Sequence, residues 1–124
     1  MIFFICVKCM PNEASDSVDF MRMSSTSIDI VVPTYHRYEI LAETLESVQT
    51  QTYPHWECWI AEDGESEKTR ATVAPFLQDR RFHYLPGEHS GTPATPRNTA
   101  MRAGHAPYIA FLDDDDIWLP EKLE

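Results

Sequence analysis

The sequence predicts an α/β protein built on an open, mainly parallel sheet with helices on both faces. Two observations predict it. Short apolar runs rich in β-branched and aromatic residues alternate with segments of helical period, and helix caps and stops fall between them. Alternating strands and helices imply β-α-β units with right-handed crossovers, which place helices over both faces of one sheet.

Residues 28–32 form the first β-branched apolar run, and residues 38–50 put Ile40, Leu41, Thr44, Leu45 and Val48 on one helical face. Residues 56–61 read as the second strand. Ser66 caps a helix running to about Leu77, residues 82–85 make a short third strand, and residues 95–103 make a helix ended by Gly104. The fourth strand spans residues 108–112, and Leu119-Pro120-Glu121 opens a further helix, with proline suited to its first turn. Residues 1–27 lack sustained periodicity and read as a poorly structured tail, with residues 28–124 as one partial domain. Met21 and Met23 stand just before the patterned region, and the expectation is that translation starts at one of them.

With 124 residues, 43% apolar and 11% aromatic, the chain has enough to fill a single core. The balance of 20 acidic against 10 basic residues, formally −10, repels a polyphosphate backbone and argues against nucleic acid as a partner. A small anionic ligand remains compatible if a divalent cation lies between it and the carboxylates. Three cysteines give no paired framework, and Cys6-Val7-Lys8-Cys9 has no second pair to close a tetrahedral zinc site, so a reducing compartment is expected. The apolar run at residues 2–7 is too short to span a bilayer and no basic residue precedes it, so a cytoplasmic chain is expected.

In an open α/β sheet ligands bind beyond the carboxyl ends of the strands. Three segments stand there. Asp113-Asp114-Asp115-Asp116 follows the last strand directly. At about 4 Å and an effective dielectric near 20, each like-charged pair costs about 4 kcal/mol, so a cation is expected nearby. Oxygen ligands favour Mg²⁺, Mn²⁺ or Ca²⁺; the plain alternative is a solvated acidic turn. Glu62-Asp63-Gly64 follows the second strand, where glycine permits a tight turn and the carboxylates can accept hydrogen bonds from ribose or base, or simply make a turn before a helix cap. Pro33-Thr34-Tyr35-His36-Arg37 follows the first strand and offers a ring to stack on a base and a hydroxyl to bond its edge, or an ordinary strand-to-helix connection. His36 has no second His or Cys at ligand spacing, which argues against a metal role. Arg97 and Asn98 open the helix before the last strand; the guanidinium would hold a phosphate, neutralise part of the tetrad, or make a structural ion pair.

Together these residues resemble glycosyltransferase family 2, whose GT-A fold is a Rossmann-like, nucleotide-binding open sheet. The resemblance is carried in register by Ile28-Asp29-Ile30-Val31-Val32-Pro33-Thr34-Tyr35-His36-Arg37, by Leu45-Glu46-Ser47-Val48-Gln49-Thr50-Gln51-Thr52-Tyr53-Pro54, by the Glu-Asp-Gly turn, by Arg97-Asn98, and by the stretch from Phe111 to Trp118 with Pro120. It covers about residues 28–124. The resemblance implies that Tyr35 and Asp63 hold the nucleotide base, that Pro33 and Thr34 shape that wall, and that Asp113, Asp114 and Asp115 are the DXD segment. Asp115 would bind Mn²⁺ or Mg²⁺, an earlier aspartate would approach the ribose, and Arg97 would be the basic residue beneath. It further implies inverting sugar transfer from a nucleotide diphosphate, a UDP-sugar first, to an acceptor hydroxyl.

Three departures are visible: the family usually has Asn at His36, Asp at Glu62 and Ser at Glu65. Glu65 is expected to add negative charge near the nucleotide. The family's catalytic base and acceptor elements are expected beyond Glu124, so this stretch alone is expected to bind a nucleotide weakly and transfer nothing. The parent enzyme would then act in the cytoplasm or at the inner face of a membrane, and uncovered surfaces would favour a homodimer. Two alternatives stand beside this one. One is a haloacid-dehalogenase-like phosphotransferase with Asp113 as nucleophile and Asp115 as acid, although Ile117 replaces that class's usual Thr or Val; the other is a non-catalytic nucleotide-binding module or gene fragment.

Overall fold

A computed structural model describes residues 4–5, 27–92 and 94–123. Its elements are β1 (Phe4–Ile5), β2 (Ile28–Thr34), α1 (Tyr38–Gln49), β3 (Trp56–Glu62), α2 (Glu67–Val73) continuing into a 3₁₀ turn (Ala74–Gln78), β4 (Phe82–Pro86), α3 (Ala94–Ala103) and β5 (Tyr108–Phe111). The sheet runs β1-β5-β2-β3-β4, with β1 antiparallel to β5 and the other four parallel. The expected open α/β sheet is therefore present. Of the expected tail, residues 4–5 form the two-residue β1; the readings of Cys6, Cys9, Met21 and Met23 lie outside the described residues.

Handedness dictates where the helices go. The chain steps one way through β2, β3 and β4, which places α1 and α2 on one face; it then returns past β3 and β2 to reach β5, which places α3 on the other. On the first face Leu41, Leu45 and Val48 of α1 and Val73 of α2 pack against Ile30, Val32, Cys58 and Ile60. The three α1 side chains are fully buried and each contributes about 2 kcal/mol. The second face is smaller: Ala100 of α3 meets Val31, Ala61 and Ile109, flanked by Trp59, Leu85, Met101 and Phe111.

The ends of elements follow from single residues. Pro33 presents its missing N–H on the side of β2 that faces β5, so the β2–β5 ladder stops at Val31↔Phe111, with one further bond from the Leu112 N–H to the Val31 carbonyl. The chain is thereby released at Asp113. β2 and β3 continue together to Thr34↔Glu62. Ser66 caps α2 as expected, its hydroxyl accepting from the Thr69 N–H at 3.4 Å.

Three details differ from the sequence reading. Ile40 is 36% exposed, because the buried stripe of α1 passes through Leu41, Thr44, Leu45, Ser47 and Val48 instead. The helix expected to reach Leu77 ends at Val73, since Pro75 cannot donate to the preceding turn and the chain tightens into the 3₁₀ turn. The helix expected from Leu119 is a turn at residues 120–123, with the Lys122 N–H donating to the Leu119 carbonyl. Gln51 holds this turn: its amide donates to the Leu119 carbonyl at 2.7 Å and its carbonyl oxygen accepts from the Leu123 N–H at 3.1 Å. No helix among the described residues is long and apolar enough to cross a membrane.

Candidate functional site

Between β2 and β5 the strand order reverses, and such a switch point opens a crevice beyond the strand ends. A cleft of about 360 Å³ lies there, within the usual range for small-ligand sites. Pro33, Thr34, Tyr35, Asp63, Arg97, Asp113, Asp114 and Asp115, all singled out in the sequence, line it. Arg37, His89, Gly91, Thr92 and Pro96 complete the lining.

The acidic tetrad divides into one inward and three outward carboxylates. Asp114 is half-buried and turned toward β2: its carboxylate accepts from the Thr34 hydroxyl at 2.8 Å and from the Tyr35 N–H, while its carbonyl accepts from the Thr44 hydroxyl at 3.0 Å. Burial raises the Asp114 carboxyl above the ordinary aspartate value, against the lowering effect of the Thr34 bond and the Arg37 charge. Asp113, Asp115 and Asp116 each offer an oxygen within 4.8 Å of the other two. Oxygens around an octahedral cation at about 2.1 Å lie about 3 to 4 Å apart, so a small contraction makes an all-oxygen seat for a hard divalent ion. Arg37 stands beside this seat, 3.6 Å from Asp115.

Among the described residues it is Arg37 that pairs with the tetrad; of the alternatives weighed for Arg97, holding a phosphate remains open. Arg97 sits over the Phe111 ring, 5.6 Å from its centroid, and its Nε is buried without a hydrogen-bond partner among the described residues. A guanidinium lining an acidic cleft with no carboxylate partner among the described residues is suited to an anion brought from outside.

Asp63 spends its acceptor capacity on a neighbouring loop. One oxygen accepts from the Ser90 N–H at 2.6 Å and the Ser90 hydroxyl at 2.8 Å; the other accepts from the Gly91 N–H at 3.0 Å and lies 3.2 Å from Nδ1 of His89. Burial would raise this carboxyl, but the Ser90 and Gly91 hydrogen bonds and the His89 charge together hold it below the ordinary value. Tyr35, 46% exposed, lies parallel to the His89 ring at 5.0 Å and 22°. The His89-Ser90-Gly91 loop is the part of the site that sequence reasoning missed; its only signal was a position just past the end of a parallel strand.

Glu62 and Glu65 do not reach the cleft. Glu62 is buried, accepting from the Tyr84 hydroxyl and the Ser66 N–H, and Glu65 pairs with Arg70. The extra negative charge expected from Glu65 is therefore matched locally. Gly64, with φ of 99°, makes the tight turn that the sequence anticipated.

Residues 29–124 match the family model described as Glycosyl transferase family 2. The chain belongs to that family. Among curated relatives, the UDP-Glc:alpha-D-GlcNAc-diphosphoundecaprenol beta-1,3-glucosyltransferase WfgD of Escherichia coli is 37% identical over 102 residues, which is 82% of this chain and 40% of WfgD. The chain thus spans 40% of the length of that relative. Among solved structures, S. aureus TarS 1-349 in complex with UDP matches with a TM-score of 0.74 and 26% identity, over 79% of this chain and 30% of that one. The mannosyltransferase PcManGT from Pyrobaculum calidifontis, solved with GDP-Man and Mn²⁺, shares the fold with a TM-score of 0.68 and 22% identity, over 73% of this chain and 28% of that one. The sheet is the GT-A sheet of family 2, and this membership leaves the dehalogenase-like alternative without support.

Proposed function

We propose that this chain is the donor-binding part of a metal-dependent, inverting glycosyltransferase that moves a sugar from a nucleoside diphosphate, a UDP-sugar first, to an acceptor hydroxyl. One observation carries the reading: Tyr35, Asp63, Arg97 and three aspartates, drawn from distant stretches of chain, line a single cleft at the sheet's switch point. The UDP complex of TarS, which shares this fold, supports uracil as the base.

In this reading the Tyr35 ring receives the base, and Asp63 sets the base edge through the loop it anchors. Thr34 and Asp114 fix the strand ends, and Asp114 stands toward the ribose. Asp115, with Asp113 and Asp116, would hold Mn²⁺ or Mg²⁺. Bound there, the cation would offset the charge that develops on the departing diphosphate. Arg97 would add a second positive group to the same phosphates. A homodimer through the edge of β4, unpaired among the described residues, and through the exposed Ile117 and Leu119, and a cytoplasmic setting, belong to the same proposal.

Calorimetry with UDP tests it. Saturable binding that requires Mn²⁺ and is weakened about 10-fold or more by Asp115→Asn is expected. UDP binding unaffected by chelator, or absent altogether, would overturn the assignment.

A further inference from the structure

One face of the Tyr35 ring is covered by His89. The two rings lie near-parallel at 5.0 Å, and both border the cleft. His89 is not held there by burial, since its side chain is 56% exposed. It is held by the backbone behind it, because Asp63 accepts from the N–H groups of both following residues and from the Ser90 hydroxyl. The loop is thus anchored one residue from the ring while the ring itself has room to turn.

We infer that His89 is a base-binding residue, forming with Tyr35 a two-sided clamp that takes the nucleobase between imidazole and phenol; this rests on the donor-binding reading above. With the centroids 5.0 Å apart no third ring fits between them, so the imidazole must swing away before a base can enter. Rotation of the exposed imidazole supplies that without moving the anchored backbone. The same rotation breaks the 3.2 Å contact between Nδ1 and Asp63, leaving one carboxylate oxygen able to accept from an N–H on the base edge. Opening the clamp and exposing the edge-reading group are therefore one motion.

The test separates base from phosphate. The chain, wild type and as His89→Ala, His89→Phe and Tyr35→Ala, is titrated calorimetrically with UDP and with inorganic pyrophosphate, each in saturating Mn²⁺, after thermal melts confirm unchanged folding. His89→Ala should weaken UDP about 10-fold and leave pyrophosphate within about twofold, because only the base loses a stacking partner. His89→Phe should stay within about threefold of wild type for UDP. The double variant His89→Ala/Tyr35→Ala should lose less than the two single losses multiplied together, since neither half clamps without the other. Unchanged or tighter UDP binding by His89→Ala would overturn the clamp and leave the donor site standing. Equal weakening of UDP and pyrophosphate would also overturn it, by placing the effect in the phosphate site. Wild-type chain that binds pyrophosphate but not UDP would remove both readings together.

Discussion

Gly104 ends α3 against the buried carboxylate of Asp29, and Gly104→Ala is expected to destabilise the fold by about 3 kcal/mol or more. A Cβ at this position would stand 2.0 Å from Oδ2, 2.4 Å from Cγ and 2.8 Å from Oδ1 of Asp29. That carboxylate cannot simply swing away: it is 1% exposed, accepts from the Trp59 indole N–H at 3.1 Å and accepts from the Ala106 N–H at 3.0 Å. Moving it forfeits hydrogen bonds to a charged group, about 1.5–3 kcal/mol each; keeping it forces β2 and the α3–β5 connection apart, about 1–3 kcal/mol. The sign is informative, because at a backbone that tolerates alanine the same change stabilises by about 0.4–1 kcal/mol through the unfolded chain. With an m-value of about 1–1.5 kcal/mol/M, the urea midpoint should fall by about 2 M at constant m. An Asp29→Ala background should shrink the penalty, since the clashing group is gone. A Gly104→Ala protein as stable as wild type, or more so, would refute the steric argument.

Further outcomes are expected elsewhere. His36 adopts φ of 52°, so His36→Val should lower stability by about 1–2 kcal/mol while His36→Asn stays within about 0.5, measured by thermal unfolding. The folded Asp63 carboxyl titrates below its unfolded value of about 3.9, so the unfolded chain binds more protons between the two values and the stabilisation, complete above about pH 5, is lost as pH falls through the folded value. The stability gap between wild type and Asp63→Asn should accordingly narrow from pH 6 to pH 3 in urea titrations; a constant gap would contradict the lowered value. Gln51→Ala removes the side-chain bonds to Leu119 and Leu123 and should cost about 1–3 kcal/mol, with the Leu123 amide losing hydrogen-exchange protection.

Much of this site was readable in the residues because β-branched runs fix where parallel strands lie, and the crevice of such a sheet is set by topology. The position of Asp113 at a strand end followed directly from the apolar run before it. What each carboxylate does there was not readable. Asp114 and Asp115 are neighbours of identical chemistry, yet one turns inward to Thr34 and the other outward to Arg37, a division made by the turn geometry after Pro33 ends the ladder. Likewise Asp63 could be placed at a rim, but its hydrogen-bonding donors sit 27 and 28 residues away in a loop with no period and no distinctive composition. The helix stripe differs at Ile40 and Ser47, where apolar or polar character outvoted the angular position.

The bond between Thr34 and Asp114 joins residues 80 apart, across nearly the whole patterned chain. β5, the last of the described strands in chain order, must therefore slot beside β2, and the crevice does not exist until it does. Any molecule captured there grips the ends of β2 and β5 at once, so occupancy would act as a latch on a long-range closure of the sheet.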